Sequence, residues 1–133
     1  MLVIGYGNPL RGDDAAGLIA AGRLGGLAVH QLTPELAEAI ALADGVIFLD
    51  ADASLPPGEI AVTPLVPAAA PLDHHAAPAA LLALTRTLYG AAPQAWLIGM
   101  GGEDFELREG LTPAAARAVE RAVDAAAGLA AVP

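Results

Sequence analysis

Three stretches of this 133-residue sequence hold the side chains able to do acid–base or metal chemistry. The first, Gly5-Tyr6-Gly7-Asn8-Pro9-Leu10-Arg11-Gly12-Asp13-Asp14, sets two carboxylates behind a glycine-bearing turn. The second is Asp50, which ends the apolar run Val46-Ile47-Phe48-Leu49, with Asp52 two residues on as a reserve candidate. The third is Asp73-His74-His75, immediately before a helical pattern. Two aspartate oxygens and one histidine nitrogen make an open site for a borderline divalent cation, with water or a substrate group in the remaining positions. Adjacent histidines rarely both ligate one ion, so either His74 or His75 supplies the nitrogen. Plainer uses compete: Asp13 and Asp14 also suit the positive end of the helix that follows, and Asp50 suits a turn.

Other chemistries fit less well. A dinucleotide fingerprint beginning at Gly5 and Gly7 needs a third glycine at position 10, which is Leu, and paired aspartates at the helix start repel a pyrophosphate. Ser54, the only serine, lacks the Gly-x-Ser-x-Gly elbow of an α/β hydrolase. His30 falls inside a strand pattern, where a packed or hydrogen-bonded imidazole is commoner than a ligand.

The elements that must position these side chains alternate between β and α. Met1 to Gly7 reads as a strand, Asp14 to Leu24 as a helix, and Leu27 to Leu32 as a second strand. Thr33-Pro34-Glu35 gives an N-cap followed by proline at the first helical position, for a helix to about Ala43. Val46 to Leu49 has no polar alternation and therefore predicts a central strand buried on both faces. Pro56-Pro57-Gly58 marks a turn before a short strand at Glu59 to Thr63, and Pro64 to Pro71 reads as an irregular loop. Leucines at 81, 82, 84 and 88 make a helical stripe from Pro78, Ala95 to Met100 gives another buried strand, and Thr112-Pro113 opens a last helix. The charges of that helix at 117, 120, 121 and 124 fall on one face. The pattern predicts a single α/β domain over residues 1–133, a three-layer α/β/α sandwich around a mostly parallel sheet. Such sheets bind ligands beyond the carboxyl ends of their strands, which selects the loops after Gly7, Asp50 and Met100.

Composition narrows the partners. Six arginines and no lysine against 15 acidic residues give a net charge of −9, which disfavours nucleic acid and anionic membranes and suits a basic peptide or a cation. With no cysteine, any metal must be held by His, Asp or Glu. The alanine-rich C-terminal stretch is broken by charges, leaving no span of about 20 apolar residues to cross a membrane, and no signal peptide precedes the first strand. A cytoplasmic monomer is the expectation.

The run Val3 to Gly17 resembles the N-terminal signature of hydrogenase maturation proteases, a glycine, Asn and Leu loop leading to paired acidic residues. Similar to the same family, in the same order, are His30-Gln31-Leu32-Thr33-Pro34-Glu35-Leu36, then Val46 to Ala51, then His74-His75 with Pro78 and Leu81-Leu82. Ile98-Gly99 through Phe105-Glu106 to Thr112-Pro113 resembles its closing segment. The resemblance implies an endopeptidase that removes the C-terminal tail of a nickel-iron hydrogenase large-subunit precursor. It implies nickel contacts from Asp14, Asp50 and His74, with the nickel supplied by the precursor and Asp14 or Asp50 as the base. The spacing back from Pro78 favours His74 over His75. A non-catalytic nickel-checking or nickel-carrier protein would need the same three ligands, and the sequence does not separate it from an aspartyl or metal-dependent protease.

Overall fold

A computed structural model describes residues 1–69 and 77–131. The chain runs β1 (Leu2–Tyr6), a 3-10 turn (Gly12–Ala15), α1 (Ala16–Arg23), β2 (Leu27–Val29), α2 (Leu36–Leu42), β3 (Gly45–Asp52) and β4 (Ile60–Leu65). It continues with α3 (Ala77–Tyr89), β5 (Gln94–Gly101) and α4 (Pro113–Ala131). The sheet order is β2-β1-β3-β5-β4, parallel except for β4, which pairs antiparallel with β5.

The apolar run of β3 takes the central position because both its faces find cover. Val46 and Phe48 pack with Ile4, Ile40, Leu81 and Leu82 beneath α2 and α3, while Ile47, Leu49 and Ala51 pack with Ala20, Ile98 and Ala118 beneath α1 and α4. Each large side chain fully buried in this way contributes about 1.5–3 kcal/mol relative to exposure. Alanines at 115, 118, 122 and 126 make the buried stripe of α4, and small side chains let that helix lie close to the sheet. Its charged residues 117, 120, 121 and 124 are all exposed, the single solvated face that their spacing predicts.

Close approach on the α1 side is set by a glycine. A Cβ on Gly17 would stand 2.5 Å from the Leu49 carbonyl oxygen and 2.6 Å from that of Tyr6, so α1 can rest on β1 and β3 only where residue 17 has no side chain.

Three expected boundaries shift. Strand β2 stops at Val29, leaving His30 exposed beyond its end and outside any strand. Helix α2 begins at Leu36, after a turn in which Leu36 N–H donates to Thr33 O and Ala37 N–H to Pro34 O. The Thr33-Pro34 pair thus forms the turn that feeds the helix, and no side chain caps it. Strand β4 runs through Pro64 to Leu65, past the expected end at Thr63. It lies at the sheet edge, where proline's missing N–H costs no ladder bond.

Candidate functional site

The chain order reverses direction across the sheet between β1 and β3: β1 leads through α1 to β2 on one side, and β2 leads through α2 to β3 on the other. Crevices open at such switch points, beyond the carboxyl ends of the strands. Asp14 follows β1, Asp50 lies near the end of β3, and the two therefore emerge at one edge.

Asp14 is held by its own loop. Gly7 packs against the Asp14 backbone carbonyl, where a Cβ would collide, and this folds the loop back so that Asn8 N–H donates to Asp14 Oδ2 at 2.7 Å. Asn8 Oδ1 in turn accepts from Leu10 N–H at 2.9 Å, which tightens the turn before the 3-10 segment. One Asp14 oxygen is thereby fixed in a half-buried position.

Asp50 follows from strand alternation. Ile4 pairs with Phe48 and Gly5 with Leu49, so Tyr6 comes beside Asp50 on the face covered by α2 and α3. Burial, then the charge of Asp14, pushes the Asp50 carboxyl up to about 7, although the neighbouring Tyr6 hydroxyl pulls the other way. Burial and the same two carboxylates push the Tyr6 phenol well above its ordinary value, so it remains a protonated donor. A carboxyl titrating near neutrality beside a second carboxylate is equipped to take a proton from water at neutral pH, and the pair to receive a cation.

The neighbouring aspartates do other work. Asp13 is fully buried and accepts from Glu103 N–H at 2.8 Å, Asp104 N–H at 3.1 Å, Thr112 N–H at 2.7 Å and the Thr112 hydroxyl at 2.7 Å. Burial would raise its pKa, but these donors outweigh it and hold the carboxyl below the usual range. No side chain caps the 3-10 turn or α1, so helix capping does not account for either Asp13 or Asp14. Asp13 is a tie between the first loop and the segment that leads into α4. Asp52 lies on the same face as Asp50 and adds to its upward shift. Its Oδ1 accepts from Ser54 N–H at 2.9 Å and from the Ser54 hydroxyl at 2.6 Å, which makes it the anchor of the turn after β3. Ser54 is engaged in that turn.

His74 and His75 lie outside the described residues, and among the described residues no group of three or more His, Asp or Glu side chains is arranged to hold a metal ion. Tyr6 is the site residue that sequence reading overlooked. The signal for it was available: residues 4 and 6 share a face, as do 48 and 50, so the rule of alternation that sets Asp50 on that face also brings a tyrosine to it.

The architecture is the α/β fold of hydrogenase maturation endopeptidases. The chain is similar to the hydrogenase maturating endopeptidase HybD from E. coli, with 27% sequence identity and a TM-score of 0.79 over 96% of this chain and 90% of that one. The [NiFe] hydrogenase maturation protease HybD from Thermococcus kodakarensis shares the fold at 24% identity and a TM-score of 0.75, covering 96% of this chain and 97% of its own. A hydrogenase 2 maturation peptidase from Thaumarchaeota archaeon SCGC_AB-539-E09 shares it at 22% identity and 0.73, over 99% and 98%. No protein-family model matches the chain, and no curated protein sequence does. Among the described residues no helix is long and apolar enough to cross a membrane.

Proposed function

We propose that this chain is an endopeptidase that removes the C-terminal tail of a nickel-iron hydrogenase large-subunit precursor, and that it recognises the precursor through the nickel it brings. The observation that supports this reading best is the pairing of Asp14 and Asp50 at the switch point of a fold shared with hydrogenase maturation endopeptidases. A carboxylate held beside the charge of a second one suits a cation that relieves their repulsion, and two oxygen donors leave room for a nitrogen ligand such as His74. The nickel belongs to the substrate; bound, it would polarise the scissile carbonyl or a water molecule.

The chain's own residues do the rest. Asn8 N–H holds Asp14 through one oxygen and leaves the other for substrate. Asp50, with its pKa near 7, is the base that accepts a proton from the attacking water and returns it to the leaving amine.

The test is mass spectrometry of nickel-loaded and nickel-free precursor incubated with the protein and with its Asp14→Asn, Asp50→Asn and His74→Ala variants. Loss of a C-terminal peptide from the loaded precursor only, abolished in each folded variant, is the expected result. Retained processing in both aspartate variants would overturn the site. An unchanged precursor mass with nickel transferred to the protein would identify a carrier instead.

A further inference from the structure

Tyr6 stands where no packing requirement asks for a hydroxyl. Its ring belongs to the core beneath α2 and α3 with Leu32, Phe48, Ala77 and Leu81, and only 9% of the residue is exposed. Phenylalanine would fill that volume equally well. The oxygen sits at the end of β1, beside Asp50 by strand register and near enough to Asp14 to feel its charge. A carboxylate near a strand end is otherwise free to rotate about its side-chain bonds. A rigid donor removes that freedom, since a buried ring with two torsions has few alternative positions.

We propose that Tyr6 is a positioning residue of the site: its hydroxyl, carried on a ring locked in the core, donates to one oxygen of Asp50 and leaves the other for the substrate that Asp50 and Asp14 share. The inference rests on the proposed endopeptidase reading and deepens it. Tyr6 makes no contact with the reacting atoms; it acts by orienting Asp50. Losing an outer hydrogen bond of this kind typically costs about 10- to 100-fold in activity or metal affinity.

Tyr6→Phe keeps the ring and removes only the oxygen, so the fold should persist, which thermal unfolding and circular dichroism would check. Steady-state processing of nickel-loaded precursor is compared for the wild type, Tyr6→Phe and Asp50→Asn. We expect Tyr6→Phe to lower kcat by at least about tenfold with KM within about twofold of wild type, because binding surface is retained while the base loses its orientation. A residue that served packing alone would lower the melting temperature and leave kcat per folded molecule unchanged. In parallel, carboxyl carbon NMR of the free protein should show the Asp50 signal displaced in Tyr6→Phe, without any substrate present. If Asp50→Asn abolishes processing while Tyr6→Phe matches wild type in both kcat and the Asp50 signal, the positioning role is wrong and the endopeptidase reading stands. If Asp50→Asn processes normally, the reading of the site fails and Tyr6 loses its role with it.

Discussion

Replacing Asp50 by Asn should stabilise the folded protein at neutral and alkaline pH while it removes function. Burial and the Asp14 charge raise the Asp50 carboxyl from its ordinary 3.8 to about 7. The folded state therefore binds the proton more tightly than the unfolded chain does. Below the ordinary value the carboxyl is protonated in both states and contributes no difference; between about pH 4 and pH 7 stability falls, because the unfolded chain is free to lose a proton that the folded state still holds. Above pH 7 the penalty is constant. At about 1.4 kcal/mol for each tenfold difference in proton affinity, it amounts to about 4 kcal/mol if the full shift is expressed, and about 2 kcal/mol if relaxation of the half-buried site halves it. Asparagine keeps the volume and an oxygen to accept from Tyr6, and it carries no charge. Urea denaturation of wild type and variant at several pH values from 4 to 9 gives the difference directly, since every other group titrates in both proteins. The variant should equal or trail the wild type at pH 4 and exceed it by about 2–4 kcal/mol at pH 8. A difference that does not change with pH, or a variant less stable at pH 8, would refute the assignment of a strained carboxylate to Asp50.

Removing Asp14 should relax the same group: in Asp14→Asn the Asp50 carboxyl, followed by carbon NMR against pH, should titrate below its wild-type midpoint, because the second largest cause of its elevation is gone. Asp13→Ala should destabilise the protein by about 3–5 kcal/mol in denaturant titrations, since three N–H donors and a hydroxyl lose a buried anionic acceptor. Its pH dependence has the opposite sign to that of Asp50: the Asp13 carboxyl is held low, so its contribution is full above the ordinary carboxylate value and is lost as pH falls through the folded value, giving a wild-type acid limb that the variant lacks. Gly17→Ala should cost about 1–3 kcal/mol or more in melting experiments, because the added methyl meets two backbone oxygens that cannot step aside. Separate His74→Ala and His75→Ala variants, assayed by precursor processing, should lose activity at 74 and keep it at 75.

The parts of this fold legible in the sequence are those fixed by local pattern. Val46 to Leu49 carries no polar residue and could only be a strand covered on both faces; Ala95 to Met100 follows the same logic. Thr112-Pro113 correctly opened α4, with Ala115 N–H donating to the Thr112 hydroxyl oxygen at 3.3 Å. The same motif at Thr33-Pro34 failed by two residues because a turn intervened, and a dipeptide does not encode which of the two will follow. His30 falls outside the expected strand for a similar reason: the chain leaves the sheet after Val29, which brings the Val29 and His30 carbonyls to Gly7 N–H. The residues' own pattern does not separate Asp13 from Asp14; only the family resemblance points to Asp14. Adjacent in the chain and identical in chemistry, they differ only in what surrounds them, and the partners of Asp13 lie 90 to 99 residues away. Asp14, by contrast, is bound six residues back, within its own loop.

That long reach governs when the site comes into being as well as what holds it. The segment around Thr112 lies near the far end of the chain, so the 3-10 turn that presents Asp14 lacks its anchor until β5 and the start of α4 are in place. Joining segments so distant in sequence is the slow part of folding, because the entropy of closing the loop is lost before the bonds form. During synthesis the early strands can pair while the acidic edge stays unformed. The acidic edge is therefore complete only once the segment around Thr112 has joined the sheet.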